Sequence, residues 1–216
     1  QRIVEGKPIG SFYMWEWAGY DDRGISVFKD YDADGNPVLN EDGTQATTSN
    51  PGQEDRIYQG NAQPKLTMGW NNTITWKNWD LNIFFTGVFG QKIFNEPRAY
   101  YSYVTNIEKG RNIMSSVWEE QNPNDTHSHY PSQRYLENGS YFKLSTLTLG
   151  YTFRNCFNGW LKDVRLYVSG NNLFTITKYK GRDPEICLGG LTPGHDTRSD
   201  HYPRTRQVLV GVNVNF

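Results

Sequence analysis

The 216-residue chain carries a formal net charge of −1, is 36% hydrophobic, and contains 15% aromatic residues, 7 Trp and 14 Tyr among them. A balanced charge without a block of Lys or Arg gives no footprint for nucleic acid, and no run of about 18 apolar residues supplies a membrane helix. So many rings argue for ordered, anchored surfaces and against a disordered chain, and the length admits one or two domains.

In chain order, a weak strand signal comes first, at residues 9 to 17, IGSFYMWEW. Residues 65 to 76, KLTMGWNNTITW, alternate with Leu66, Met68, Trp70, Ile74 and Trp76 on one face. Residues 79 to 90 follow after only Lys77 and Asn78, a hairpin-length turn, with Trp79, Leu81, Ile83, Phe85 and Phe89 on one face. NIMSSVWEEQ (112 to 121) spaces Ile113, Met114, Val117 and Trp118 as a short amphipathic helix ended by Asn122-Pro123. Residues 141 to 153 settle into Leu147, Leu149, Tyr151 and Phe153 after a phase slip near Ser145, the mark of a bulge. Residues 164 to 176 present Val164, Leu166, Val168, Phe174 and Ile176 together. The last ten residues, QVLVGVNVNF, put Val208, Val210, Val212, Val214 and Phe216 opposite Gln207, Gly211, Asn213 and Asn215, with Leu209 the exception.

Long and short connections alternate between these strands, which structureless loops of compact soluble domains rarely do. Short turns at one end and long loops at the other describe an outer-membrane β-barrel. The ten steps from Trp79 to Phe89, at ~3.4 Å each and a tilt of ~45°, rise about 24 Å, against an apolar band of ~25 Å. Trp76, Trp79, Tyr151, Phe153 and Phe216 gather at the short-turn end, and Phe89 and Phe174 at the other, as two interfacial girdles. Spacing alone leaves a soluble antiparallel sandwich open, in which the same rings form a core.

The stretches NAQPKLTMGWNNTITWKNWDLNIFFTGVFGQKIFN, GSYFKLSTLTLGYTF, RLYVSGNNLFTITKYKGRDPE and YPRTRQVLVGVNVNF resemble, in this order, the C-terminal part of the SusC-like TonB-dependent transporters. The likeness runs over nearly the whole of residues 1 to 216. It implies an all-β fold, an antiparallel transmembrane β-barrel segment of about six C-terminal strands out of about 22, with long extracellular loops. It further implies a multi-pass protein of the bacterial outer membrane that imports glycans or oligosaccharides with a SusD-like surface lipoprotein, powered through TonB. A peptide importer of the same family is the alternative. Phe216 matches the terminal aromatic read by the barrel assembly machinery. Nothing here matches the family's plug, its TonB-contacting segment or its N-terminal domain, so the remaining segments of the transporter are expected outside this chain. Two sheet edges and a lipid-facing surface left bare would otherwise promote aggregation.

Residues 30 to 41, DYDADGNPVLNE, match the D-x-D-x-D-G-x₅-E calcium loop. Asp30, Asp32, Asp34, Asn36 and Glu41 are the candidate Ca2+ ligands, and the ion's role would be to stiffen an extracellular loop. No helical pattern flanks the stretch and Pro37 is unusual there, so an acidic surface turn is the competing reading. His127 with His129, and His195-Asp196 with Asp200-His201, lack the spacing of a zinc site. Patterns for a nucleophile elbow, a zinc hydrolase or a P-loop are missing from the sequence, which argues against an enzyme. Cys156 and Cys187 fall at opposite ends of the strand order and are expected unpaired. Tyr100, Tyr101, Tyr103 and Tyr130, in a long loop, are candidate stacking rings for an oligosaccharide or peptide substrate, with packing of the loop itself as the alternative. A soluble, secreted, calcium-containing, carbohydrate-binding sandwich remains the reading of a different class.

Overall fold

The computed structural model describes residues 1–118, 122, 124–156, 161–185, 190–197 and 202–216. The first strands are β1 (Ser11–Trp15), β2 (Trp17–Tyr20), β3 (Ser26–Lys29), β4 (Thr47–Thr48) and β5 (Arg56–Asn61). The long hairpin β6 (Leu66–Trp76) and β7 (Trp79–Phe89) follows, then β8 (Lys92–Asn95), α1 (Glu96–Tyr101), α2 (Ser115–Trp118) and β9 (Leu136–Asn138). The chain closes with β10 (Tyr141–Cys156), β11 (Leu161–Thr177), β12 (His195–Asp196) and β13 (Gln207–Asn215). No helix among the described residues is long and apolar enough to cross a membrane.

Two compact units share these elements. One, made of residues 64–90, 140–178 and 202–216, is a single antiparallel sheet in the order β13-β11-β10-β7-β6. Its register explains the sequence pattern. Ile74, Leu81, Leu149, Val168 and Val210 stand side by side across all five strands. One position along, Thr73, Asn82, Thr148, Ser169 and Leu209 form the next row on the other face. There, Asn82 Nδ2 donates to Asn71 Oδ1 and Thr73 Oγ1, both at 3.0 Å, and the Thr148 and Ser169 hydroxyls meet at 2.7 Å. One face is thus bound together by polar contacts while the other is almost entirely hydrocarbon, with Asn72 the exception in its row.

Among the described residues that hydrocarbon face has no second layer within its unit, which contains one sheet. Val210 is 75% and Ile74 54% exposed, and Val208, Val212, Leu149 and Val168 are exposed as well. A sandwich would bury these side chains against a partner sheet; here they are presented outward, as a barrel presents them to lipid. At the short-turn end the Trp79 and Tyr151 rings meet edge to face at 4.7 Å, and Tyr151 meets Phe153 likewise at 4.7 Å. The bulge sits where the phase slip predicts it, the register of β10 shifting between Leu144 and Thr146 against both neighbours. The Lys77-Asn78 turn joins the paired Trp76 and Trp79, with Lys77 in the left-handed region at φ 56°.

On the polar face one ion pair spans three strands. Arg165 of β11 donates from Nε to Asp80 Oδ1 at 2.8 Å and from Nη2 to Oδ2 at 2.5 Å, although β10 runs between them. Gly150 of β10 makes this possible. A Cβ there would lie 2.5 Å from Asp80 Oδ1 and 2.7 Å from Arg165 Nε. Gly211 of β13 likewise leaves room for the Tyr167 ring, which the Arg165 guanidinium approaches at 4.8 Å.

The second unit gathers residues 1–63, 91–139 and 179–201, which are the long connections. It carries three small sheets, in the orders β1-β5, β2-β3-β4 and β12-β8-β9. The protein's hydrophobic core lies here, with Phe12, Met14, Ala62, Phe94, Ala99 and Tyr135 packed together and Leu136 against them. Phe12 is 2% exposed and Tyr135 fully buried. The strand expected at residues 9 to 17 forms as β1 but does not join the five-stranded sheet; it pairs with β5. Its Ser11, Phe12, Met14 and Trp15 are buried on both faces, so it behaves as a core strand and leaves no apolar face for lipid. The expected helix at 112 to 121 is described only as α2, with Val117 buried and Trp118 exposed. Residues 119–121 and Pro123 lie outside the described residues, as does Cys187, so the expected separation of Cys156 and Cys187 falls beyond them.

Two outcomes test this architecture. Val210→Arg, on the hydrocarbon face, should destabilise the protein in bilayers by about 2–4 kcal/mol, whereas Asn213→Arg on the polar face should shift stability far less; urea titration in lipid vesicles reads both. Gly150→Val and Asp80→Asn should each lower the thermal unfolding temperature, and the double variant should fall no further than the worse single one, since both remove the same ion pair.

Candidate functional site

The acidic stretch folds as turns. Asp32 accepts from the Gly35 amide at 2.9 Å through its carbonyl and donates its own amide to Asn36 O at 2.9 Å. Its side-chain Oδ1 accepts from the amides of Asp34 (2.9 Å) and Asn36 (2.8 Å). This is an Asx-type turn closed by glycine in the left-handed region, Gly35 at φ 81°. The same device brackets it. Asp21 accepts from Gly24 N and donates to Ile25 O, and Asn40 accepts from Gly43 N and donates to Thr44 O. Gly24 and Gly43 have φ of 75° and 78°. Asp-Asp-Arg-Gly, Asp-Ala-Asp-Gly and Asn-Glu-Asp-Gly are therefore three copies of one four-residue turn.

The turns account for much of the calcium-like spelling. The Asn36 backbone and side chain, which hydrogen-bond Asp32, hold its carboxyl below the usual carboxylate range. Asp30 is turned elsewhere; burial, then the neighbouring Asp55, push its carboxyl up. Asp34 and Glu41 are exposed. No group of three or more His, Cys, Asp or Glu able to hold a metal ion occurs among the described residues. His127 and His129 meet Tyr130 edge to face at 4.7 Å and 5.4 Å. His195 lies 3.2 Å from Glu96 and against the Phe94 ring, and Asp200 and His201 are outside the described residues.

The four tyrosines separate into three environments. Tyr130 stacks on Trp15 at 5.0 Å and leans on Phe28 at 6.0 Å, which is packing within the unit. Tyr101 lines a cavity of about 330 Å³ with Arg98, Met114, Arg182 and Asp196. Asp196 there is fully buried, accepting from Tyr179 Oη at 2.6 Å and pairing with Arg182 at 3.3 Å. That environment pushes the Tyr179 hydroxyl far up, through burial first and then its bond to Asp196.

Tyr100 and Tyr103 come together, on the wall of a cavity of about 520 Å³. Asn106, Lys109, Arg111 and His129 share that wall, and sequence reasoning did not single out the first three. The site is assembled locally. Asn95 caps α1 by accepting from the Arg98 amide at 3.0 Å, with Pro97 preorganising the first turn. After α1, Tyr103 opens a single 3₁₀ turn (Val104–Asn106). Asn106, 1% exposed, donates from Nδ2 to Tyr100 O at 2.7 Å, while its carbonyl accepts from the amides of Lys109 (3.1 Å) and Arg111 (2.9 Å). The buried Asn106 side chain therefore ties the loop to the end of the helix, while its backbone carbonyl fixes the backbone of Lys109 and Arg111. Lys109 Nζ lies 5.8 Å from the Tyr103 ring centroid and Arg111 Cζ 5.5 Å from that of Tyr100. The His129 and Tyr103 rings are 4.3 Å apart. Burial first, then His127, lower the His129 imidazole from its ordinary value, with Lys109 adding and Asp125 opposing.

Comparison with known proteins gives the geometry a context. No family model matches the chain. All of it aligns with the TonB-dependent receptor P3 of Formosa agariphila, 32% identical over 243 residues, and 98% of it with the TonB-dependent receptor SusC of Bacteroides thetaiotaomicron, 25% identical. The alignments cover 23% and 20% of those receptors, so the chain spans about a quarter or less of the curated relatives it matches. Among solved structures, the RagAB peptide transporter matches with a TM-score of 0.74 and 25% identity, over 95% of this chain and 23% of that one. The RagAB peptide importer in its open-open state gives the same TM-score at 23% identity.

The turn reading of residues 30 to 41 is testable. Asp32→Ala should speed hydrogen exchange at the Asp34 and Asn36 amides, whereas calcium added to the unsubstituted protein should leave those rates unchanged. Slower exchange on adding calcium would select the metal-loop reading.

Proposed function

We propose, for a chain that belongs to the SusC-like TonB-dependent receptors of the bacterial outer membrane, that the whole protein imports an oligosaccharide across that membrane. The observation that carries this reading is the two-faced sheet. Its outer rows are exposed hydrocarbon and its inner rows are hydrogen-bonded polar side chains and a strand-spanning ion pair. Such a wall separates lipid from an aqueous lumen. The separately packed unit of long connections, with its aromatic cavities, supplies surfaces suited to capturing cargo. Energy coupling through TonB and docking of a SusD-like surface lipoprotein belong to the same proposal and use segments outside this chain. The receptor relatives support a role that is not enzymatic.

A peptide cargo is the second reading, favoured by the likeness to the RagAB peptide transporter. Uptake by whole cells separates the possibilities. Fluorescent oligosaccharide should accumulate in cells carrying the gene, and deletion of the gene or collapse of the proton gradient should each abolish the accumulation. Accumulation of labelled peptide instead would select the second reading, and release of the native protein into buffer without detergent would end both.

A further inference from the structure

The cavity beside α1 is unbalanced in charge. Lys109 and Arg111 line it, and neither has a carboxylate within ion-pair distance among the described residues. The carboxylate on its wall, Glu96, lies 3.2 Å from His195 Nε2. The backbone of both residues is fixed on the Asn106 carbonyl, the exposed Arg111 guanidinium donates to the Tyr100 hydroxyl, and the exposed Lys109 ammonium lies 5.8 Å from the Tyr103 ring centroid, with no fixed anion between the two cations among the described residues. A guanidinium on one side and an ammonium on the other form a receptor for a carboxylate. The former offers a planar fork and the latter a mobile donor, and charge-assisted bonds of this kind are about twice as strong as neutral ones. The Tyr100 and Tyr103 rings on the same wall suit the apolar face of a sugar ring.

We propose that this cavity is a subsite for the carboxylate of an acidic oligosaccharide. The proposal rests on the importer reading and narrows its substrate class. The walls favour a sugar acid over an acidic peptide for a reason of backbone geometry. Extended peptides commonly gain affinity by adding a strand to an open sheet edge. The strand residues on this wall are Phe94 of β8, which is already paired on both sides by β12 and β9, and His195 of β12, an edge strand only two residues long and too short to template an added peptide strand. What remains on the wall is a helix, a 3₁₀ turn and side chains. A volume of about 520 Å³ falls within the usual range for enclosing a small ligand or a short piece of an oligomer.

The test uses the full-length protein in detergent and isothermal titration with three probes, tetragalacturonate, neutral maltotetraose and pentaglutamate. Tetragalacturonate should bind about tenfold or more tighter than maltotetraose, and about 0.5 M salt should erase most of the difference. Joint substitution Lys109→Ala and Arg111→Ala should weaken tetragalacturonate binding about tenfold or more and leave maltotetraose unchanged. The charge-keeping pair Lys109→Arg and Arg111→Lys should retain most of the affinity. An unchanged melting temperature in both pairs shows that the loop still folds. Equal binding of acidic and neutral sugars, no binding of tetragalacturonate, or full binding by the alanine pair would overturn the subsite. Pentaglutamate binding more tightly than tetragalacturonate would overturn the sugar assignment. Whole-cell uptake of a neutral oligosaccharide together with any of these failures would sink the subsite while leaving the importer standing; loss of uptake altogether would sink the importer itself.

Discussion

The structure depends on where five strands find partners for their backbone amides. Inside a bilayer an unpaired N–H or C=O costs several kcal/mol, so each strand must be satisfied by its neighbours before its side chains are considered. The three inner strands of the sheet, β7, β10 and β11, meet that demand on both sides by long antiparallel ladders, for example fourteen aligned residue pairs between β10 and β11, and β6 and β13 meet it on one side. With the backbone bonded laterally, the two faces are free to differ, and they do: one is mainly Ile, Leu, Val and aromatic rings, with Asn72 among them, and the other mainly Thr, Asn, Ser, Asp and Arg, with Phe84 and Leu209 among them. Oily side chains outside and polar ones inside invert the arrangement of a water-soluble domain.

The connections restore the usual order. Where chain leaves the sheet, hydrophobic residues turn inward again around Phe12, Met14, Phe94 and Tyr135, and polar turns close with glycine as in any soluble protein. One chain therefore obeys two sets of burial rules, according to the solvent each unit meets.

Much of this was legible in the sequence because a period of two is a strong signal over ten or more residues. The five long strands, the bulge at Ser145 and the Lys77-Asn78 turn lie where the alternation places them. The destination of β1 was not legible, since its partner β5, RIYQGN, has no clean alternation and its pairing is settled by packing in three dimensions. The letters of residues 30 to 41 leave two readings open for another reason. Asp and Gly serve a tight turn and a cation loop equally well, and only the directions of the carboxylates tell them apart. The wall of Asn106, Lys109 and Arg111 was hidden for a third reason. Lys109 and Arg111 are exposed charges in a polar loop with no periodic pattern, and only the bonds of their backbone amides to the Asn106 carbonyl show that they share a wall. Of the four tyrosines, chain position could not say that Tyr130 packs inward while Tyr100 and Tyr103 share a cavity.

The gap left by Gly150 has a consequence for how the sheet is put together. Strands with similar zigzag faces can pair out of step, and a slip by one residue would carry Asp80 or Arg165 round to the hydrocarbon side. Only the native alignment sets the side-chain-free position of the middle strand beneath both charges at once. The crossing clasp thus works as a gauge of alignment during assembly, penalising a mis-stepped hairpin most heavily as it enters the lipid.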